Sequence, residues 1–227
     1  MSDDPETVRQ IAELARDTRP LLVLDVDEVL LEFVTPFIGF LGSRALKFDT
    51  QSFRLHGNIS EAATGAPVDN QGVSALLDEF FGLQADWQGA AAGAAEAIAG
   101  LAENAEIVML TAMPHKHRAT RRSHLDALGF PYPLLTTETA KGPAIRQLRG
   151  GHPRPVAFVD DIPHNLVSVR ATVGDAHLFH LMAHAGMRAL LPPLPDGIIT
   201  TNGWADAGPK IAGALGLSWG WSISGLD

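Results

Sequence analysis

The sequence contains no cysteine. That excludes a disulfide framework, a catalytic thiol and zinc held by thiolates, and it is compatible with a reducing compartment. Lysine is scarce, with Lys47, Lys116, Lys141 and Lys210 as its only positions. No stretch reaches the roughly 18 apolar residues of a membrane span. The longest apolar segments, such as 21–24 and 107–110, have strand length. The opening residues, MSDDPETVRQ, are acidic and polar where a secretory signal needs a basic start and an apolar run, so a cytoplasmic location is expected. Positive charge is also in short supply, with 17 Lys and Arg against 26 Asp and Glu and a net charge of −9. Broad contact with a nucleic acid polymer or an anionic membrane is therefore not expected.

What is present fits a globular chain. The 227 residues are 46% hydrophobic, enough for one large domain or a core with a small second lobe. There is no internal repeat. A helix is expected over 5–18, with Asp4 as its cap, Pro5 at its first position and Val8, Ile11, Ala12 and Ala15 on one face. LLVLDVD (21–27) begins with the continuous apolar run of a strand covered on both faces. EIVMLT (106–111), YPLLTT (132–137) and PVAFVD (155–160) repeat that pattern, and AHLFHL (176–181) is a fifth, weaker candidate. Helices are expected over 89–103, 115–128, 141–149 and 163–172. Alternating strands and helices predict an α/β fold, a Rossmann-like three-layer core with a mainly parallel sheet. Residues 32–88 are read as a small, mostly helical cap inserted after the first strand, with 74–83 helical, and residues 1–31 and 89–227 as the core. After 185 the chain reads as loop-rich, with a closing helix over 205–215 and a tail (215–227) bearing two exposed tryptophans.

In open parallel sheets, ligands bind beyond the carboxyl ends of the strands. The residues there are Asp25 and Asp27, then Thr111, then Thr136 and Thr137, then Asp160 and Asp161, with Lys141 opening the helix after the third strand. Each alone is adequately explained as a cap or turn residue. Together, four carboxylates at one sheet edge repel unless a cation lies between them. Hard oxygen ligands point to Mg²⁺. A carboxylate nucleophile, a second carboxyl, a hydroxyl and a lysine are the parts needed for phosphoryl transfer through an aspartyl-phosphate.

On these segments the chain resembles the haloacid dehalogenase (HAD) superfamily of phosphohydrolases. The motifs are LLVLDVDEVL, EIVMLT, Lys141 in TETAKGPAI, and VAFVDD. Asp27 and Thr111 are 84 positions apart, Thr111 and Lys141 30, and Lys141 and Asp161 20. The resemblance covers about residues 20–185 and implies a Mg²⁺-dependent phosphomonoester hydrolase acting on a small phosphorylated metabolite. It casts Asp25 as nucleophile, Asp27 as acid and base, and Thr111, Ala112 and Lys141 as phosphate binders. Asp25, Asp161 or Asp160, and the Asp27 carbonyl would hold the metal. Asp27 also argues against dehalogenase chemistry, since halide departure needs no acid. A phosphomutase or phosphotransferase, or a non-catalytic phosphate- or nucleotide-binding protein, remains an alternative on the same fold. The insertion sits where a type 1 cap would, and its size and the TAMP sequence faintly resemble the 5′-(deoxy)nucleotidase branch.

Glu28 stands where many relatives have glycine, either turned away or adding negative charge beside the site. Candidates for substrate contact are Phe33, Phe37, Arg44, Arg54 and His56 in the insertion, and His115 in the core. The basic run HKHRATRRSH (115–124) reads either as recognition of an anionic leaving group or as an exposed helix face. His177, His180 and His184 read as structural or surface groups.

Overall fold

The computed structural model describes residues 3–49, 54–191 and 193–220. In chain order the elements are α1 (Pro5–Ala12), β1 (Leu21–Leu24), α2 (Val34–Gly42), β2 (Leu46–Phe48), β3 (Ile59–Glu61), α3 (Asn70–Gly82), α4 (Gln84–Trp87), α5 (Ala94–Ala102), β4 (Glu106–Thr111), a short 3₁₀ turn (His115–His117), α6 (Arg118–Ala127), β5 (Leu134–Thr136), α7 (Lys141–Arg149), β6 (Val156–Asp160), α8 (Pro163–Thr172), β7 (His177–Leu181), α9 (Ala185–Arg188), β8 (Ile198–Thr201) and α10 (Trp204–Ala214).

Six strands form one parallel sheet in the order β5-β4-β1-β6-β7-β8. All four residues of β1 are buried, and their alternation sorts them onto two cores. Leu22 and Leu24 face a cluster with Ile98 and Leu101 of α5, Leu125 of α6 and Ile211 of α10. Leu21 and Val23 face Ile145 and Leu148 of α7 and Leu166 and Val169 of α8. This is the three-layer α/β core expected from the strand runs.

Three local expectations change. First, α1 stops at Ala12. Asp4 caps it as expected, its carboxylate accepting from the Glu6 and Thr7 N–H groups. The buried positions of α1 are Thr7 and Gln10, not the apolar stripe. Thr7 Oγ1 donates to the Thr136 carbonyl (2.7 Å), and the Thr136 N–H donates to Gln10 Oε1 (2.8 Å). Thus α1 supplies the backbone partners that edge strand β5 otherwise lacks. Second, IITT within the expected loop forms β8, an edge strand with two of its four residues exposed. It carries no long apolar run to reveal it. Third, Trp219 is partly buried against the core, its ring lying where a side chain on Gly208 would project. Trp221 lies outside the described residues.

The regular structure of the 32–88 region is mostly helical, with one short ribbon that was not expected. α2, α3 and α4 accompany an antiparallel ribbon of β2 and β3, each three residues long and too short to show alternation. α3 begins at Asn70, earlier than expected, because Asp69 Oδ1 accepts from the Gly72 N–H (2.7 Å). Phe33, Phe37, Phe40, Val73 and Phe80 form a separate apolar cluster, joined by Met182 and Met187 from beyond β7. The chain leaves and returns at adjacent points, where the Glu32 N–H donates to the Gly89 carbonyl (3.0 Å). Among the described residues, no helix is long and apolar enough to cross a membrane.

Candidate active site

The carboxyl ends of β1, β4 and β6 meet at one cavity of about 460 Å³, whose lining includes Asp25, Asp27, Thr111, Ala112, Asp161 and Phe33. Asp25 extends the ladder of β1, its N–H donating to the Val159 carbonyl (2.9 Å). Its Oδ1 accepts from the Val26 N–H (2.7 Å) and faces Lys141 Nζ at 2.7 Å. Among the described residues, Oδ2 has no such partner. Lys141, fully buried at the start of α7, also donates to Asp160 Oδ2 at 2.7 Å. Gly142 allows this depth. A Cβ there would lie 2.4 Å from the Ser168 carbonyl oxygen, so α7 meets α8 almost backbone to backbone.

Burial pushes Asp25 up to about 7, against the pull of Lys141 and with a further push from Asp160. Burial likewise raises Asp161 well above the carboxylate range, with Asp160, Asp25 and Glu28 adding to the rise. Burial alone would lower Lys141, but Asp160 and Asp25 outweigh it and hold it above the ordinary lysine value.

The two members of the acidic pair have different surroundings. Both oxygens of Asp160 are engaged, by Lys141, the Ile162 N–H and the Asn165 amide. The Asp161 carboxylate has no hydrogen-bond or ion-pair partner among the described residues, yet it lines the cavity. Oxygens of Asp25, Asp160 and Asp161 lie within 4.8 Å of one another. A buried, unpartnered carboxylate beside two others suits a hard divalent cation.

Asp27 is held differently. Its Oδ1 accepts from Gln88 Nε2 (2.8 Å) and Arg121 Nη1 (2.9 Å), leaving Oδ2 without a partner among the described residues. Arg121 is fully buried, so the basic run is not simply an exposed face. It shares its helix face with buried His124 and Leu125, three and four positions on, and that spacing was the signal available in the sequence.

The rest of the basic run does not reach the cavity either. His115 faces Thr136 through Nδ1 (2.6 Å) and Asp4 through Nε2 (3.0 Å), anchoring α1. Lys116 and His117 both meet Asp78 of α3 at 2.6 Å, joining core to insertion. Arg118 and Arg122 donate to backbone carbonyls around β5. In the insertion, Arg54 and His56 are exposed on either side of Leu55, which does line the cavity. Phe37 is buried in the apolar cluster, and Arg44 pairs with Glu79. His180 is buried with Nε2 on the Asp161 carbonyl (2.9 Å), and burial lowers its pKa. Asn165, not singled out from sequence, both lines the cavity and holds Asp160.

Glu28 has a left-handed backbone, with φ of 60°. That conformation explains why glycine suits the position. The side chain lines the cavity, where its charge reaches Asp161, but it also has structural work. Oε1 accepts from the Phe33 (2.9 Å) and Val34 (2.7 Å) N–H groups, replacing the cap that α2 lacks, and Oε2 accepts from the His184 N–H (2.6 Å). Glu28→Gly relieves the strained backbone but strands three N–H groups. A net loss of about 2 kcal/mol is expected, read as a lower urea midpoint. An unchanged or higher midpoint would show that these bonds contribute nothing.

No protein-family model matches the sequence, and no curated protein matches it. Solved structures do match. A HAD family hydrolase from Deinococcus radiodurans R1, determined with bound phosphate and sodium, superposes with a TM-score of 0.54 at 16% identity, covering 89% of this chain and 100% of that one. A haloacid dehalogenase-like hydrolase from Xanthomonas campestris gives 0.55 at 12% identity, covering 88% and 98%. D,D-heptose 1,7-bisphosphate phosphatase from Burkholderia thailandensis gives 0.50 at 15% identity, covering 85% and 98%. The fold is therefore that of the haloacid dehalogenase-like hydrolases.

Proposed function

We propose that this chain is a Mg²⁺-dependent phosphomonoester hydrolase working through an aspartyl-phosphate. The observation that carries this reading is the Asp25 carboxylate, fixed through Oδ1 by Lys141 and the Val26 N–H while Oδ2 is left unpartnered beside a cavity shared with Asp27, Thr111 and Asp161. The likeness in fold to a phosphatase and to a hydrolase determined with phosphate supports it.

In the proposed reaction, Asp25 Oδ2 attacks phosphorus and the bond from phosphorus to the ester oxygen breaks. The leaving oxygen takes the proton carried on Asp27 Oδ2. Water then attacks the aspartyl-phosphate and passes its proton to Asp27, releasing inorganic phosphate and restoring the Asp25 carboxylate. Arg121 and Gln88 orient Asp27 for both transfers, Thr111 on the lining holds the phosphoryl group, and Lys141, which does not line the cavity, acts from behind by fixing and charge-balancing Asp25. The donor set suits Mg²⁺ held by Asp25, Asp161 and the Asp27 carbonyl, with Asp160 engaged behind them. Bound there, the ion supplies charge stabilisation to the phosphoryl oxygens. Residues 32–88 act as the cap that covers the reaction. An assay with an aryl phosphate, with and without Mg²⁺, tests the reading, and absence of Mg²⁺-dependent turnover over a broad phosphate panel overturns it.

The raised carboxylates also set a pH dependence for the metal. A folded-state pKa above the unfolded value adds stability at low pH that is lost as pH rises through the folded value, here about 7 for Asp25. Mg²⁺ takes the place of those protons. The Mg²⁺-induced rise in melting temperature is therefore expected to be several degrees larger at about pH 8 than at about pH 6. Burial lowers His124 and His180, which titrate in the opposite sense, so the increment is taken at each pH against the metal-free chain at the same pH. A pH-independent increment in differential scanning fluorimetry would contradict metal binding at these carboxylates.

A further inference from the structure

The cavity has an apolar wall. Phe33, Leu55, Leu77 and Phe81 line it from the insertion, and Met113 from the core. Phe33 and Phe81 are in ring contact with centroids 6.2 Å apart. Ser74 is the single neutral polar residue contributed to this lining by the insertion, and Asp78 adds a negative charge already matched by Lys116 and His117.

No Arg, Lys or His lines the cavity among the described residues. The stretches outside the description, 1–2, 50–53, 192 and 221–227, contain none in their sequence. The cationic groups paired with the lining carboxylates are all committed, Lys116 and His117 to Asp78 at 2.6 Å each, and the other two are buried as well. Lys141 lies between Asp25 and Asp160, and Arg121 on Asp27 has no accessible surface. The lining itself carries five carboxylates, Asp25, Asp27, Glu28, Asp78 and Asp161. A leaving group with its own carboxylate or second phosphate would thus find no uncommitted cation on the lining to receive it and an apolar wall to desolvate it. An aryl or branched alkyl group would bury against that wall.

We infer that the substrates are phosphomonoesters of uncharged, apolar alcohols of about aryl size, and that Phe33, Leu77 and Phe81 select them by excluding a second anionic group. This rests on the hydrolase reading and refines it. The nucleobase edges of a nucleotide would find few polar partners on this wall, so nucleotides fit it less well than aryl esters.

Benzyl phosphate and phosphoglycolate form a matched pair, differing only in phenyl against carboxylate on the same methylene. Their unreactive analogues, benzylphosphonate and phosphonoacetate, give binding independently of turnover. With the full chain and Mg²⁺, benzyl phosphate is expected to exceed phosphoglycolate about tenfold or more in kcat/KM, and benzylphosphonate to bind correspondingly tighter by calorimetry. Hydrolysis of both with phosphoglycolate equal or preferred overturns the inference and leaves the hydrolase intact. Hydrolysis of neither, and of nothing else across the broad phosphate panel, with benzylphosphonate still binding tighter, overturns the hydrolase reading and leaves the apolar selectivity standing. No turnover across that panel together with no binding preference overturns both. Leu77→Arg, which places a cation on the wall, is expected to narrow or reverse the preference, and an unchanged ratio in a folded variant counts against this wall as the selector.

Discussion

Asp25→Asn is expected to abolish phosphomonoester turnover, with a loss on the order of 10⁴-fold or more. The substitution is nearly isosteric and removes only the nucleophilic charge. Asp25 is 6% exposed, so its shape matters to packing, and asparagine preserves that shape. Folding is expected to survive, because Lys141 keeps Asp160 as a partner at 2.7 Å and one buried negative charge is removed from a crowded group. The variant should therefore melt at or above the wild-type temperature while losing activity. That combination separates lost chemistry from lost structure. Turnover within about tenfold of wild type would sink the aspartyl-phosphate mechanism. Rapid-quench mass spectrometry of the wild-type chain supplies the complementary test, since the phosphoryl adduct is expected on Asp25 and absent from the variant.

Lys141→Met should produce the largest loss of stability. The lysine is fully buried and neutralises two buried carboxylates at once. Methionine retains the volume of the stem but leaves Asp25 and Asp160 facing each other without a cation. Breaking a buried ion pair from one side costs about 3–5 kcal/mol. At roughly 2–4 °C per kcal/mol for a chain of this size, the melting temperature is expected to fall by on the order of 10 °C at neutral pH. The sign of its pH dependence is also set. Protonating the stranded carboxylates removes their repulsion, so part of the deficit should return on acidification, starting above the wild-type Asp25 value of about 7 because the Lys141 pull that lowers it is gone. A deficit that stays constant from about pH 8 to about pH 6 would mean that the lysine acts by packing and not by charge. Mg²⁺ is expected to offset part of the loss, because it supplies the missing positive charge at the same carboxylates.

How much of this was legible beforehand depended on whether the physics was local. β1, β4 and β6 are buried on both faces, so they appear as unbroken apolar runs ending in Asp25, Thr111 and Asp160. Helices α7 and α8 were expected at the boundaries they have. β8 escaped because an edge strand needs a neighbour more than it needs an apolar sequence. The polar face of α1 escaped for a related reason. Thr7 and Gln10 are buried only because β5 presents backbone groups that need partners.

The substrate-facing candidates show the same division. His115, Arg54 and His56 were reasonable positions for an anion-binding group, but side-chain direction sends the first to Asp4 and leaves the others in solvent. Arg121 was one of a run of basic residues and became, in three dimensions, the buried partner of Asp27. Glu28 could be read as turned away or as an added charge. The left-handed backbone at that position directs it onto three N–H groups while its charge still reaches Asp161.

By itself the sequence determined the parallel α/β core and the order in which chemically capable residues reach one sheet edge. Both follow from short-range rules, since apolar continuity marks a doubly covered strand and strand ends in such sheets share an edge. Only the tertiary structure decided which oxygens remain unpartnered, which cations are already committed and which apolar groups share the cavity with the carboxylates. Those are set by contacts between residues far apart in the chain, such as Arg121 with Asp27 and Phe33 with Phe81, and no local pattern records them.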